Sequence, residues 1–135
     1  MNESFPRIAR LLAKRDFSTV FEDNHFKRNA PQVLMLCHRP AEPGQAAGSR
    51  LGVIVAKKQV KRAHERNRLK RLAREQFRRL RSELPEADIV LLFRHPAQFC
   101  SNAELSDILR KHLLGLQRKY QAVEPVSSAQ QLEQQ

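Results

Sequence analysis

The chain has 135 residues, 41% of them hydrophobic, and a formal net charge of +11. That is enough length and apolar content for one domain with a modest core, which argues against disorder throughout. So large a cationic excess points to a polyanionic partner, nucleic acid ahead of an anionic membrane.

In chain order, the opening "MNESFPRIARLLAKRD" leads into "RDFSTVFED", where Phe17, Val20 and Phe21 fall at i, i+3 and i+4. This spacing predicts a short amphipathic helix over Lys14 to Glu22. "APQVLMLCHR" reads as a strand with a continuous apolar run from Val33 to Cys37, and "HFKRN" leaves room for a further short strand. The Pro, Gly and small residues of "PAEPGQAAGS", residues 40–49, predict a loop. "RLGVIVAKK" is the next strand, β-branched and bounded by charge. A basic helix is expected from Val60 to Leu84, stopped by Pro85. "ADIVLLFRH" is apolar throughout, as a central strand covered on at least one face would be.

The last helix starts at "SNAELSDILRKHLLGLQRKY", where Ser101 and Glu104 have capping-box spacing. Its apolar stripe is Leu105, Ile108, Leu109, Leu113 and Leu116. The Gln- and Ser-containing stretch 122–135 is expected to be a disordered tail, leaving residues 1–121 as a single domain. Helices alternating with apolar strands in the order α-β-β-α-β-α, or with one more β, predict a compact α/β (α+β) sandwich around a small sheet.

Cys37 and Cys100 are too few for a disulfide framework or a zinc set and read as buried free thiols. No charged-then-apolar leader opens the sequence, and no apolar run reaches the ~20 residues of a membrane span. A cytoplasmic protein with no membrane role is therefore expected.

The charge is concentrated. From Lys57 to Arg81 there are twelve Lys or Arg against Glu65 and Glu75. At about 100° per residue, Leu69, Leu72, Ala73, Phe77 and Leu80 form one stripe to dock the helix on the sheet. Asn67, Lys70, Arg71, Arg74, Arg78 and Arg81 fall on the adjacent face. Arg62 and Arg66 lie above the apolar stripe and escape burial if the first turns overhang the sheet, where they join Arg68. Lys57, Lys58 and Lys61 extend this group onto the strand-to-helix turn. Arg supplies a planar donor fork and a helix start supplies unpaired N–H groups, both suited to phosphate oxygens. Two acids cannot neutralise twelve bases, so a salt-bridged surface helix is a poor explanation. With no sustained heptads, a basic zipper is also poor.

"RLGVIVAKK…VKRAHERNRLKRLAREQFR" closely resembles the signature of the bacterial ribonuclease P protein subunit, with the Arg-Asn-Arg triplet as Arg66, Asn67 and Arg68. The resemblance continues through "LLAKRDFSTVFED" and "LPEADIVLLFRHPA", covering roughly residues 5–120. It implies a two-layer sandwich whose basic helix lies in a left-handed β-α-β crossover, where periodicity alone would give the right-handed one. It also implies an accessory role in a ribonucleoprotein endonuclease that removes the 5′ leader of precursor tRNA. Catalysis and the Mg²⁺ ions would then belong mainly to an RNA subunit, with no obligate protein partner.

The RNA-binding set so implied is Arg62, Arg66, Asn67, Arg68, Lys70, Arg71 and Arg74, with Lys57, Lys58 and Lys61. Phe17 and Phe21 would hold the leader, in a cleft between the first helix and the sheet. Relatives also place an aromatic on the neighbouring strand. Here that strand reads "VLMLCH", leaving Met35 or Leu36 for apolar contact.

The residues themselves point to no protein active site. His25, His38, His64, His95 and His112 are scattered and lack metal-ligand spacing, and the acids do not cluster as a two-metal site requires. The alternatives are a free-standing RNA-binding module, such as a ribosome-associated protein, and a self-sufficient nuclease, which the missing clusters oppose.

Overall fold

The computed structural model describes residues 14–39 and 48–121. Expectations for the tail and for most of the loop 40–49 fall outside them. The order is α1 (Lys14–Glu22), β1 (Phe26–Asn29), β2 (Val33–His38), β3 (Arg50–Ile54), α2 (Ala63–Leu80), β4 (Asp88–Phe93) and α3 (Asn102–Gln121). A 3₁₀ turn at Arg81–Glu83 follows α2, and another at His95–Phe99 precedes α3.

The four strands form one sheet in the order β1-β2-β4-β3. β1 and β4 each run antiparallel to β2, while β3 and β4 are parallel and joined through α2. The short strand at "FKRN" is thus real, and as an edge strand it carries Lys27 and Arg28, charges that discourage edge-to-edge pairing.

The apolar runs of β2 and β4 reflect two-sided burial. Side chains alternate across a strand, so Val33, Met35 and Cys37 face one side with Ile89, Leu91 and Phe93. Leu34, Leu36 and Val90 face the other. The first side meets Leu69, Ala73 and Phe77 of α2 and Leu105, Leu109, Leu113 and Leu116 of α3. These make the sandwich of sheet and helices. The second side meets α1 through Val20 and Phe17.

α2 begins three residues later than expected, at Ala63, because Gln59 and Val60 are held in a separate turn by bonds from their N–H groups to Ala56 O. At α3 the capping box is complete: Ser101 N–H donates to Glu104 Oε1 at 2.8 Å and Glu104 N–H to Ser101 Oγ at 3.1 Å. Cys37 is buried and its thiol pKa is raised by desolvation, whereas Cys100 is only half-buried, a correction to the expectation for both thiols. His112 is a core residue, its Nε2 donating to Val33 O at 3.1 Å and so tying α3 to β2.

Candidate nucleic-acid interface

The cationic surface is built where β3 hands over to α2. Gln59 and Val60 N–H both bond to Ala56 O, folding the chain into a tight turn that leaves Lys57 and Lys58 exposed. Lys61 and Arg62 follow, also exposed. Arg62 is the N-cap residue of α2 and makes no side-chain cap, so no side chain at that position competes for the N–H groups of the first turn. Asn67, Arg71 and Arg74 are exposed further along the helix, and Lys70 is half-buried.

Both arginines of the triplet escape full burial and both carry bonds within the fold. Arg66 does not overhang freely. Its Nη1 folds back to donate to Val60 O at 2.9 Å and Lys61 O at 2.8 Å, bracing the turn. Among the described residues its Nε and Nη2 take no hydrogen-bond partner, so the fork is anchored at one corner and open along one edge.

Arg68 uses four of its five N–H donors within the fold. Nε bonds to Glu65 Oε1 at 2.9 Å, Nη1 to Asn102 Oδ1 at 2.6 Å and Cys100 O at 3.3 Å, and Nη2 to Gln98 O at 3.3 Å. It clamps α2 to the start of α3. The C-terminal half of α2 also spends charge internally: Glu75 takes Arg78 at 2.6 Å and Arg79 at 3.0 Å, and these bonds lower its carboxyl pKa. Arg81 Nε donates to Ser49 O at 3.2 Å.

The second feature lies on the opposite side of the sheet, beneath α1. Arg50 grips Asp88 with both ends of its fork, Nε to Oδ1 at 2.9 Å and Nη2 to Oδ2 at 2.8 Å, and its Nη2 lies 3.5 Å from Asp16 Oδ1 in the first turn of α1. The Asp88 bonds raise the Arg50 pKa further, so this clamp stays charged. α1 is thereby fixed at one end, with Phe17 packed on the Leu34, Leu36 and Ile54 side and Phe21 42% exposed.

Strand alternation settles the question of Met35. It is fully buried on the α2–α3 side and cannot reach this face. Leu36 does face α1 but is only 5% exposed, so the half-buried Leu34 is the more accessible apolar strand residue there.

The histidines are less scattered than their spacing suggested. Antiparallel pairing of β1 with β2 stacks His25 on His38, centroids 5.0 Å apart, beside Asp23. The hydrogen bonds decide what this group does. Arg39 N–H donates to His25 Nδ1 at 3.0 Å, which puts that ring's proton on Nε2, the atom facing Asp23 Oδ1 at 3.4 Å. His38 Nδ1 donates to Asp23 O at 2.8 Å. A protonated Nε2 has no lone pair for a metal, so the group is a hydrogen-bonded knot closing the α1–β1 turn on β2. His64 is exposed, 3.6 Å from Glu65.

The family model described as "Ribonuclease P" matches residues 5–117. The chain is 46% identical over 123 residues to the ribonuclease P protein component of Acinetobacter baylyi, covering 89% of this chain and 91% of that one. It is 42% identical over 108 residues to the component from Photorhabdus laumondii, covering 80% and 87%. Among solved structures, the RNase P protein of Staphylococcus aureus superposes with a TM-score of 0.70 at 26% identity, over 79% of this chain and 93% of that one. The Thermotoga maritima protein, in complex with 1-(4-fluorophenyl)-2-thiourea, gives 0.65 at 28% identity over 77% and 96%.

Proposed function

This chain belongs to the ribonuclease P protein family, and from that premise we propose how its surfaces divide the work of the enzyme. The chain is the accessory subunit of a ribonucleoprotein endoribonuclease: its partners are a catalytic RNA and precursor tRNA, whose 5′ leader the RNA subunit removes.

In our reading the RNA subunit is held by the exposed cations Lys57, Lys58, Lys61, Arg62, Arg71 and Arg74, with Asn67 and Lys70. The observation that carries it is a dense cluster of exposed cations around a helix start with no side-chain cap. Arg66 contributes as an oriented fork, its anchored Nη1 presenting the open Nε–Nη2 edge to phosphate. Arg68 contributes by holding the surface in shape. Phe17 and Phe21 meet the leader, the first as a partly buried anchor and the second through its exposed ring.

Mg²⁺ fits the RNA subunit better than this surface, because a hard cation requires a cage of oxygens and the surface presents ammonium and guanidinium groups. The cationic side chains screen the repulsion between two phosphate-rich RNAs, so less Mg²⁺ is needed to bring them together. A cytoplasmic location is part of the same proposal and suits the free thiols of Cys37 and Cys100.

The test is reconstitution with the RNA subunit. Protein should lower the Mg²⁺ needed for precursor cleavage, and Lys58→Ala and Arg62→Ala should each reduce the slope of log K against log salt by somewhat under ~1. Cleavage by protein stripped of all RNA would instead make the chain a nuclease in its own right.

A further inference from the structure

Phe99 is the most exposed large apolar side chain among the described residues, at 74%. A single exposed apolar residue is ordinary, but this one is held rigidly beside the cationic surface. It ends the 3₁₀ turn before α3, and His95 meets its ring edge-on with centroids 5.2 Å apart. Arg68 bonds to the carbonyls on both sides of it, Gln98 O and Cys100 O, each at 3.3 Å.

The same turn is tied to the lysine-bearing turn. His95 N–H donates to Gln59 Oε1 at 2.8 Å, and Gln98 Nε2 donates to Gln59 O at 3.3 Å. Gln59 directly follows Lys57 and Lys58. Lysines, helix start and aromatic ring therefore form one pre-organised surface, in which the ring loses little freedom on binding.

We propose that Phe99, braced by His95, is a stacking platform for an unpaired base of the RNA subunit whose backbone the adjacent cations hold. A flat ring beside phosphate-binding cations is the arrangement by which proteins take up single-stranded nucleotides, phosphate by charge and base by stacking. A protein partner is disfavoured by the positive charge of the turn to which the Phe99 turn is tied, where Lys57, Lys58, Lys61 and Arg62 are all exposed. The inference rests on the RNA-binding reading of that surface given above.

The experiment measures affinity of full-length protein for the RNA subunit across a range of salt, with base-specific chemical probing of the bound RNA. Phe99→Ala and Phe99→Leu should each weaken binding about tenfold with the salt slope unchanged, because no charge is removed. Phe99→Tyr should bind as wild type, and one base protected with wild type and Phe99→Tyr should become reactive with the other two. The exposed ring makes the melting temperature indifferent to these changes.

Affinity within twofold of wild type for Phe99→Leu, with Lys58→Ala still flattening the slope, would overturn the stacking role and leave the RNA surface standing. Silence of both variants would overturn the surface reading as well. Weakening confined to precursor tRNA, or a changed sedimentation coefficient, would assign the ring to the leader or to a second copy and reject the proposal.

Discussion

The two sides of the sheet are built differently. One is sealed by two long helices, and Phe77, Leu69, Leu109 and Leu113 are fully buried there with Phe93 and Met35. The other, among the described residues, is met by the nine residues of α1 with Val20, Leu36 and Val90 buried between them. The first side holds most of the buried apolar surface, hence most of the stability. The second, among the described residues, buries fewer apolar side chains and leaves the Phe21 ring exposed, which adds little to stability. On the proposed reading, in which this side meets the leader, stability and leader binding should be separable by mutation.

The largest effect is expected on the sealed side. Phe77→Ala should cost about 3–5 kcal/mol, lost transfer energy plus cavity, in chemical denaturation. All RNA binding should fall with it at temperatures where the variant unfolds. A loss below ~1 kcal/mol would mean the sheet is not held mainly from this side.

Arg68→Ala comes next. Four acceptors lose a charged donor, and stability should fall by about 2 kcal/mol. Lys58→Ala, ten residues earlier in the chain and exposed, should leave stability within ~0.5 kcal/mol while flattening the salt dependence of RNA binding. If Arg68→Ala leaves denaturation unchanged and only weakens RNA binding, the clamp is not structural.

That contrast also marks what was legible in the sequence. The stripe Leu69, Ala73 and Phe77 and the capping box at Ser101 were legible because their partners lie within a few residues on the same helix. The Arg68 clamp was not, since two of its partners are backbone carbonyls about thirty residues downstream, and a carbonyl has no sequence signature. The Arg66 bonds to Val60 O and Lys61 O were hidden for a related reason: a helical wheel gives a direction from the axis, and cannot show a long side chain folding back on its own turn. The alternation of "VLMLC" divided β2 into two sets, but only the packing of α1 showed that Leu34 and Leu36, and not Met35, face it. The His25–His38 stack depended on strand register.

A smaller effect, again on the sealed side, is a pH dependence. Burial lowers the His112 pKa below its ordinary ~6.5. The unfolded chain then takes up a proton that the folded chain refuses, so this contribution is present above pH ~6.5 and lost as pH falls below it. Wild type should lose more stability between pH 7 and pH 5 than His112→Gln. Parallel losses would show that the ring is not held neutral.

The thin side supplies the most direct test. Phe17→Leu with Phe21→Leu keeps most of the apolar volume and removes both flat faces. Holoenzyme carrying this protein should bind precursor tRNA about tenfold more weakly, with mature tRNA and RNA-subunit affinities unchanged and stability within ~1.5 kcal/mol of wild type. Equal weakening toward precursor and mature tRNA, or a large drop in melting temperature, would contradict the account, because the two phenylalanines would then be holding the fold together and the leader would lie elsewhere.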